Sequence, residues 1–356
     1  MNKNMFFDVD QHLCDLEICN WADELPITLA DIAPRNVVVD GVERLCIEDK
    51  YFPKPSGFGI GSPIGSKAGG NVSLEKRMNW MKQVGIEKAI LTPGNLGMAI
   101  HAIENLELKE EVCKRYRLWQ LEQAKKAGNH CTVGLLVDPF SLPDPSILED
   151  EQVSCLYMRP TNAQKLHMWD EPMKRVLKLA NDTELPILLH AGTGYYQNSP
   201  LADQYDNYFY THLYSHQLEI QMGLGELIGH GLFNEFPRLR VVFVEAGVTW
   251  VPDFVARLQH HIDKLGKWVP GKGQNVYKVL EERCMFTVFN DDASGLGTFL
   301  KANPWMKVAM GSDYPHWDTI NVAAILKDVE GDLREEVAYK NACNFFVKKQ
   351  GAFTKN

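Results

Sequence analysis

Eight short, largely apolar runs separated by helix-patterned segments constrain this chain more than any other feature. They are Met5–Val9, Lys88–Leu91, Thr132–Val137, Val153–Met158, Pro186–Leu189, Arg240–Val244, Met285–Phe289 and Lys307–Met310. Continuous rather than alternating apolar character suits strands buried on both faces. Long helical segments between such runs are the crossovers that parallel strands require. Glu104–Ala127, Glu171–Asp182, Leu218–Phe236, Ala256–Leu265 and Leu333–Lys349 read as helices. Pro172 falls in a first helical turn, where proline is tolerated. Eight strands alternating with helices is the count of a closed (β/α)8 TIM barrel, and a doubly wound open sheet is the second reading. A length of 356 residues suits one barrel domain over 1–356 with insertions.

Two stretches break the alternation. About residues 21–70 form an insertion after the first strand. In it, Asp40-Gly41 between apolar runs signals a hairpin. The glycine-rich segment that follows lacks the spacing and the strand-to-helix setting of a dinucleotide fingerprint. The second stretch, Ala191–Ser215, reads as a long loop after the fifth strand. It carries Tyr195, Tyr196, Tyr205, Tyr208, Phe209, Tyr210 and Tyr214. Loops of this length inside compact domains are usually functional or disordered. A substrate wall and a packed satellite cluster are both open here.

Composition excludes several classes. A net charge of -9 argues against a nucleic-acid partner, which needs clustered Lys and Arg. No apolar run approaches the ~20 residues that span a bilayer, so no membrane partner is expected. Asp8 and Asp10 interrupt any h-region near the N-terminus, so no signal peptide is expected. The eight cysteines are scattered without a C-x-x-C pair, which points to a reducing cytoplasm rather than to a disulfide framework.

In an α/β barrel, chemistry sits at the C-terminal ends of the strands. The first strand ends in Asp10-Gln11-His12, and residues two apart on a strand face the same way. The fifth ends in His190, the sixth in Glu245 and the eighth in Asp313. A strand-end Asp often only caps a helix, and a lone His is often merely hydrogen-bonded. Asp10, His12, His190 and Asp313 falling together on strand ends point instead to one divalent metal ion. Nitrogen and oxygen donors suit Zn²⁺, the first choice, or Mn²⁺ or Fe²⁺, better than Mg²⁺. Arg159 ends the fourth run, where it suits a bidentate grip on a substrate carboxylate or a structural ion pair. His216 and His316 are further candidates. His101, His130, His167, His212, His230, His260 and His261 read as surface or packing residues.

Four segments carry a family resemblance: FFDVDQH, PILLHAGTG, GLFNEFPRLRVVFVEAGVTWVP and VAMGSDYPHWD. Together they run from residue 6 to about 318. The chain resembles the amidohydrolase-related branch of the amidohydrolase superfamily, which includes aminocarboxymuconate semialdehyde decarboxylase and γ-resorcylate decarboxylase. The resemblance implies a distorted barrel and one metal held by Asp10, His12, His190 and Asp313. Members have His-x-His or Glu-x-His at the first position, where this chain has Asp-x-His. The well-known decarboxylases carry a histidine at the end of the sixth strand, where this chain has Glu245. That carboxylate could be a ligand, a general base or a partner that orients a histidine. Arg257 resembles an arginine that holds a substrate carboxylate across a dimer interface, so a homodimer is implied; it could equally pair with Asp253 or Asp263.

The expected catalytic residues are therefore Asp313, Glu245 and His216. The expected substrate-binding residues are Arg159, His316, Tyr195, Tyr196 and Arg257. Three functions are open. One is a metal-dependent decarboxylase of a small unsaturated or aromatic carboxylic acid. Another is a metal-dependent hydrolase of an amide, ester or lactone, with a bound water brought to a pKa of about 7. The third is a non-catalytic binding protein, which the intact metal set disfavours. Arg159 and the resemblance favour the decarboxylase; Glu245 in place of histidine favours the hydrolase. Decarboxylation is preferred.

Overall fold

The computed structural model describes residues 5–15, 18, 21–39, 41–52, 72–192, 205 and 208–346. All eight apolar runs become neighbours in one sheet. Its strands are β1 (Phe6–His12), β5 (Ile86–Thr92), β6 (Cys131–Leu136), β7 (Val153–Met158), β8 (Ile187–His190), β9 (Val241–Val244), β10 (Cys284–Thr287) and β11 (Val308–Ala309), bonded in that order. Every pairing is parallel. The ends of the sheet meet. Asp8 bridges Met310 and Gln11 bridges Tyr314 in parallel, with Val9 N–H donating to Met310 O at 2.9 Å and His12 N–H to Tyr314 O at 2.8 Å. The sheet is thus a nearly closed barrel with no open crevice for a doubly wound site. These seam bonds carry β1 past the apolar run Met5–Val9 to His12, the strand end read from the sequence.

Alternate strand residues divide between two buried clusters, as the period of two requires. Val241 and Phe243 pack outward with helix residues such as Val176 and Leu177. Val242 and Val244 join Ile90, Leu136, Leu188 and Met285 inside the barrel. The surrounding helices include α1 (Leu74–Val84), α2 (Leu106–Ala127), α3 (Glu171–Thr183), α4 (Tyr208–Gly229), α5 (Val251–Leu265), α6 (Val276–Arg283) and α7 (Leu296–Ala302). Their starts follow capping chemistry. Ser73 Oγ accepts from Lys76 N–H, and Asn105 Oδ1 from Leu108 N–H.

The insertion holds an antiparallel sheet of β2 (Arg35–Val39), β3 (Val42–Ile47) and β4 (Lys50–Phe52). Val39 pairs with Val42, which fits the hairpin expected at Asp40-Gly41; Asp40 itself lies outside the described residues. The glycine-rich segment lies outside the described residues.

Three helical expectations need correction. The aromatic stretch is not one loop to Ser215, because α4 starts at Tyr208. Its tyrosines and phenylalanine obscured a helical start, and Tyr195 and Tyr196 lie outside the described residues. The helix expected over Leu218–Phe236 is split. α4 stops at Gly229, Gly231 takes a φ of 76°, and a separate short helix covers Leu232–Glu235. The expected closing helix Leu333–Lys349 runs as Gly331–Glu335, a wider π-helical turn Glu336–Lys340, and Asn341–Phe345. Residues 347–349 are outside the described set. Among the described residues, no helix is long and apolar enough to cross a membrane.

Candidate metal centre

The backbone at the barrel mouth departs from regular strand geometry at three places, and each brings a ligand-type side chain inward. The register of β1 against β5 slips between Asp8 and Gln11, so buried Val9, Asp10 and His12 all fall on the interior side. Asp8 fixes this irregularity. Its Oδ1 accepts the N–H groups of Asp10 (3.2 Å) and Ser312 (2.8 Å), and its Oδ2 accepts Gln11 Nε2–H (2.7 Å). Burial is the largest influence on Asp8 and pushes its carboxyl up to about 6 against these hydrogen bonds. Glu245 follows Val244 directly, so regular alternation would send it outward. Its φ of 57° breaks that alternation; Asp313 has a φ of 59°. Left-handed backbone at bulky residues is costly and clusters at functional sites. Thr287 Oγ1 accepts Glu245 N–H at 3.1 Å, and Asp292 anchors the following turn by accepting Val248 N–H at 3.0 Å.

The result is a buried set of imidazoles and carboxylates. His12 Nε2 lies 3.7 Å from Asp10 Oδ1 and 3.2 Å from Asp313 Oδ1. His190 Nε2 lies 3.5 Å from Asp10 Oδ2 and 3.0 Å from Glu245 Oε2. One ligand atom from each of Asp10, His12, His190 and Glu245 falls within 4.8 Å of all the others, and His12, Asp313 and His316 form an overlapping group. The two rings meet edge to face at 4.9 Å.

The donors fit a divalent cation. His12 Nδ1–H donates to Pro93 O at 2.6 Å, and His190 Nδ1–H donates to Ala191 O. Those bonds select the tautomer whose Nε2 lone pair faces the carboxylates. His12 Nε2, His190 Nε2 and Asp313 Oδ2 are buried with no hydrogen-bond partner. Lone pairs facing anions in a buried site need a positive charge between them. Asp10 is held in place by Thr92 Oγ1–H at 2.9 Å.

The electrostatics express the same demand. Burial alone would lower the pKa of His190, but Asp10 and Glu245 raise it well above its ordinary value. Burial likewise opposes His12, which Asp10 and Asp313 raise. Burial would raise Asp10 and Asp313; His190 and His12 lower the first, and His316 and His12 hold the second well below the carboxylate range. The carboxylates thus favour positive charge beside the two Nε2 atoms, a demand that a bound metal ion would meet.

The remaining expected residues fall in different places. His316 Nδ1 lies 2.6 Å from Asp313 Oδ1, and its ring stacks on His12 at 4.2 Å. His216, on α4, places Nε2 3.3 Å from Glu245 Oε1. Burial, then His212 and His190, hold His216 well below its ordinary value. Burial and the Asp313 charge raise Glu245 despite His190. Arg159 is buried in an ion pair with Glu219 of α4, at 2.9 Å, and also donates to Gly192 O at 2.9 Å. A Cβ on Gly192 would stand 2.9 Å from the Arg159 guanidinium carbon, so the close approach depends on glycine. Arg257 is exposed on α5.

Two residues of this mouth were missed in the sequence. His212, read as a surface or packing histidine, lies with its ring 4.8 Å from that of His216 and its Nε2 3.5 Å from Asp318 Oδ2. Burial, then the charges of Asp313 and Glu245, push Asp318 up to about 9. The spacing His212-x-x-x-His216 was the available signal, since it puts both rings on one helical face. His101 is a packing residue, as expected: it is buried 3.3 Å from Asp138, which also meets Lys109 at 3.3 Å.

Solved structures share this architecture. An amidohydrolase from Mycobacterium avium subsp. paratuberculosis K-10 superposes with a TM-score of 0.71 at 16% identity, over 99% of this chain and 100% of that one. 5-Carboxyvanillate decarboxylase from Sphingomonas paucimobilis gives a TM-score of 0.71 at 13% identity, over 97% and 99%. Dihydroxybenzoic acid decarboxylase from Polaromonas sp. JS666, with bound manganese and the inhibitor 2-nitroresorcinol, gives a TM-score of 0.63 at 15% identity, over 100% of both chains. At such identities the likeness is one of fold. No curated protein matches the sequence. The family model described as Amidohydrolase matches residues 8–346. With that match spanning nearly the whole chain, the protein belongs to the amidohydrolase family.

Proposed function

We propose that this protein is a metal-dependent decarboxylase, a carbon–carbon lyase acting on a small aromatic or unsaturated carboxylic acid. The observation that carries the reading is the contact of Glu245 with both His190 (3.0 Å) and His216 (3.3 Å). It supports reading Glu245 and His216 as an acid–base pair beside the candidate ligands Asp10, His12, His190 and Asp313. An ion held by Asp10, His12, His190 and Asp313 would supply a Lewis acid for the substrate's oxygens. Glu245 Oε1 and His216 Nε2 hold one proton between them on the substrate side. As the bond to the carboxyl carbon breaks, its electron pair stays on the substrate carbon and takes that proton, and CO2 leaves. His316 braces Asp313 through the 2.6 Å contact of its Nδ1 with Oδ1.

The carboxylic acids named for the Sphingomonas and Polaromonas enzymes support this substrate class. Two imidazoles with carboxylates suit Zn²⁺, Mn²⁺ or Fe²⁺, and the manganese of the Polaromonas structure puts Mn²⁺ beside Zn²⁺. The buried thiols of Cys46, Cys113, Cys131, Cys155 and Cys284 are free, which supports a reducing cytoplasm, and exposed Arg257 supports a homodimer in which it serves the partner's mouth. A hydrolase is the second reading, favoured by a carboxylate rather than a histidine at position 245. Incubating the metal-loaded protein with hydroxybenzoic acids, esters and lactones separates the two. CO2 release matched by loss of the acid is the expected result. Consumption of esters or lactones with no CO2 from any acid overturns it.

A further inference from the structure

We propose that a groove between the end of α1 and the segment that follows β11 binds a small organic anion with a flat apolar body. The site stands whether or not the barrel mouth carries a metal.

The groove encloses about 720 Å³, within the roughly 300–1,000 Å³ of small-molecule sites. Its floor is apolar, since Phe6, Ile320 and Val322 line it and are buried. Half-buried Trp80 lines it too. That ring is stacked on Tyr314, with centroids 3.9 Å apart and planes 13° from parallel. An indole already held in place loses little freedom when a flat ligand packs against it.

The charged walls choose the sign of the occupant. Lys82 and Arg334 line the groove and no Asp or Glu does, in a chain of 46 acidic and 37 basic residues. Lys82 is exposed in the last turn of α1. Arg334 is half-buried and gives an Nη1 hydrogen to Leu326 O. Among the described residues neither cation is paired with a carboxylate. Cations without an internal counter-charge, beside an apolar floor, complement an anion that carries an apolar body. A neutral ligand leaves them unmatched, and a cationic one is repelled.

The groove lies behind the loop of Asp313 and His316. Ile320 N–H donates to Ser312 O at 2.9 Å, and Thr319 Oγ1–H donates to His316 O at 2.6 Å. None of Asp10, His12, His190, Glu245 and Asp313 lines it, so it is separate from the mouth.

The test is calorimetric titration of the full chain with naphthalene-2-sulfonate, a flat anion whose sulfonate binds metal ions weakly. The expected result is saturable binding of one molecule per chain, unchanged in a His12→Ala, His190→Ala double variant. Lys82→Gln and Arg334→Gln should each weaken it about tenfold, the size of a lost hydrogen bond to a charged group. Uncharged naphthalene-2-methanol should bind at least about tenfold less tightly on the same ground. Lys82 is exposed, so its variant keeps the fold even if that of Arg334 does not. No saturable binding overturns the inference. Affinity unchanged by Lys82→Gln, or binding lost with the two histidines, overturns it as well.

Discussion

Glu245 Oε2 stands 3.0 Å from His190 Nε2 because the Glu245 backbone turns left-handed at the end of β9. Val244, one residue earlier, points into the barrel interior, so a regular strand would have sent Glu245 into the helix layer. The irregular φ, not the strand, puts this carboxylate at the mouth.

Replacing Glu245 by Gln keeps its shape and removes its charge and basicity. General acid–base roles are worth about 10²–10⁴-fold in rate, so kcat should fall by that order in steady-state assays. Metal content should stay near one ion per chain, since Asp10, His12, His190 and Asp313 are untouched; a drop would make Glu245 a ligand. Unchanged kcat would mean that this carboxylate has no part in proton transfer.

Glu219→Gln isolates a structural role. Arg159 and Glu219 are both fully buried, at 2.9 Å, so neutralising Glu219 takes a carboxylate charge away from a buried guanidinium. Such breaks cost about 3–5 kcal/mol. Urea unfolding at neutral pH should show a loss of that size. A loss under 1 kcal/mol would show that the guanidinium has a further partner that suffices.

Acid should destabilise the metal-loaded protein through a second buried group, His101 and Asp138. Burial, against the pull of Asp138, lowers His101 below its ordinary value. Burial raises Asp138, but Lys109 and His101 outweigh it and lower the group overall. Both folded values therefore lie below the unfolded ones, so the unfolded chain takes up these protons first as pH falls. The His101 contribution is complete above an unfolded pKa of about 6.5 and declines as pH drops below it; that of Asp138 declines below about 3.9. Denaturant midpoints at pH 8, 6 and 5 should fall in that order, and His101→Asn should flatten the part between pH 8 and 5. A midpoint indifferent to pH in the wild type contradicts this assignment.

Much of this was legible in the sequence, for physical reasons. Strands buried on both faces must be apolar, so the barrel strands stood out, and Asp10, His12, His190 and Asp313 stood out as polar residues ending them. What escaped depends on backbone detail or distant pairing. The left-handed turns at Glu245 and Asp313 leave no compositional trace. Arg159 ended a strand as expected, but its partner Glu219 is 60 residues away on α4, and no local pattern ties them. His212 and Asp318 were hidden for a different reason. The aromatic stretch around His212 read as loop, and Asp318 lies in irregular chain beyond the last strand.

Metal content of a His12→Ala, His190→Ala double variant tests the central claim most directly. The two Nε2 atoms are the nitrogen donors of the candidate set beside Asp10. Purified wild-type protein should hold a tightly bound divalent ion after extensive dialysis, and the double variant should hold none while keeping the circular dichroism of the folded barrel. Full occupancy in the folded double variant would contradict the account.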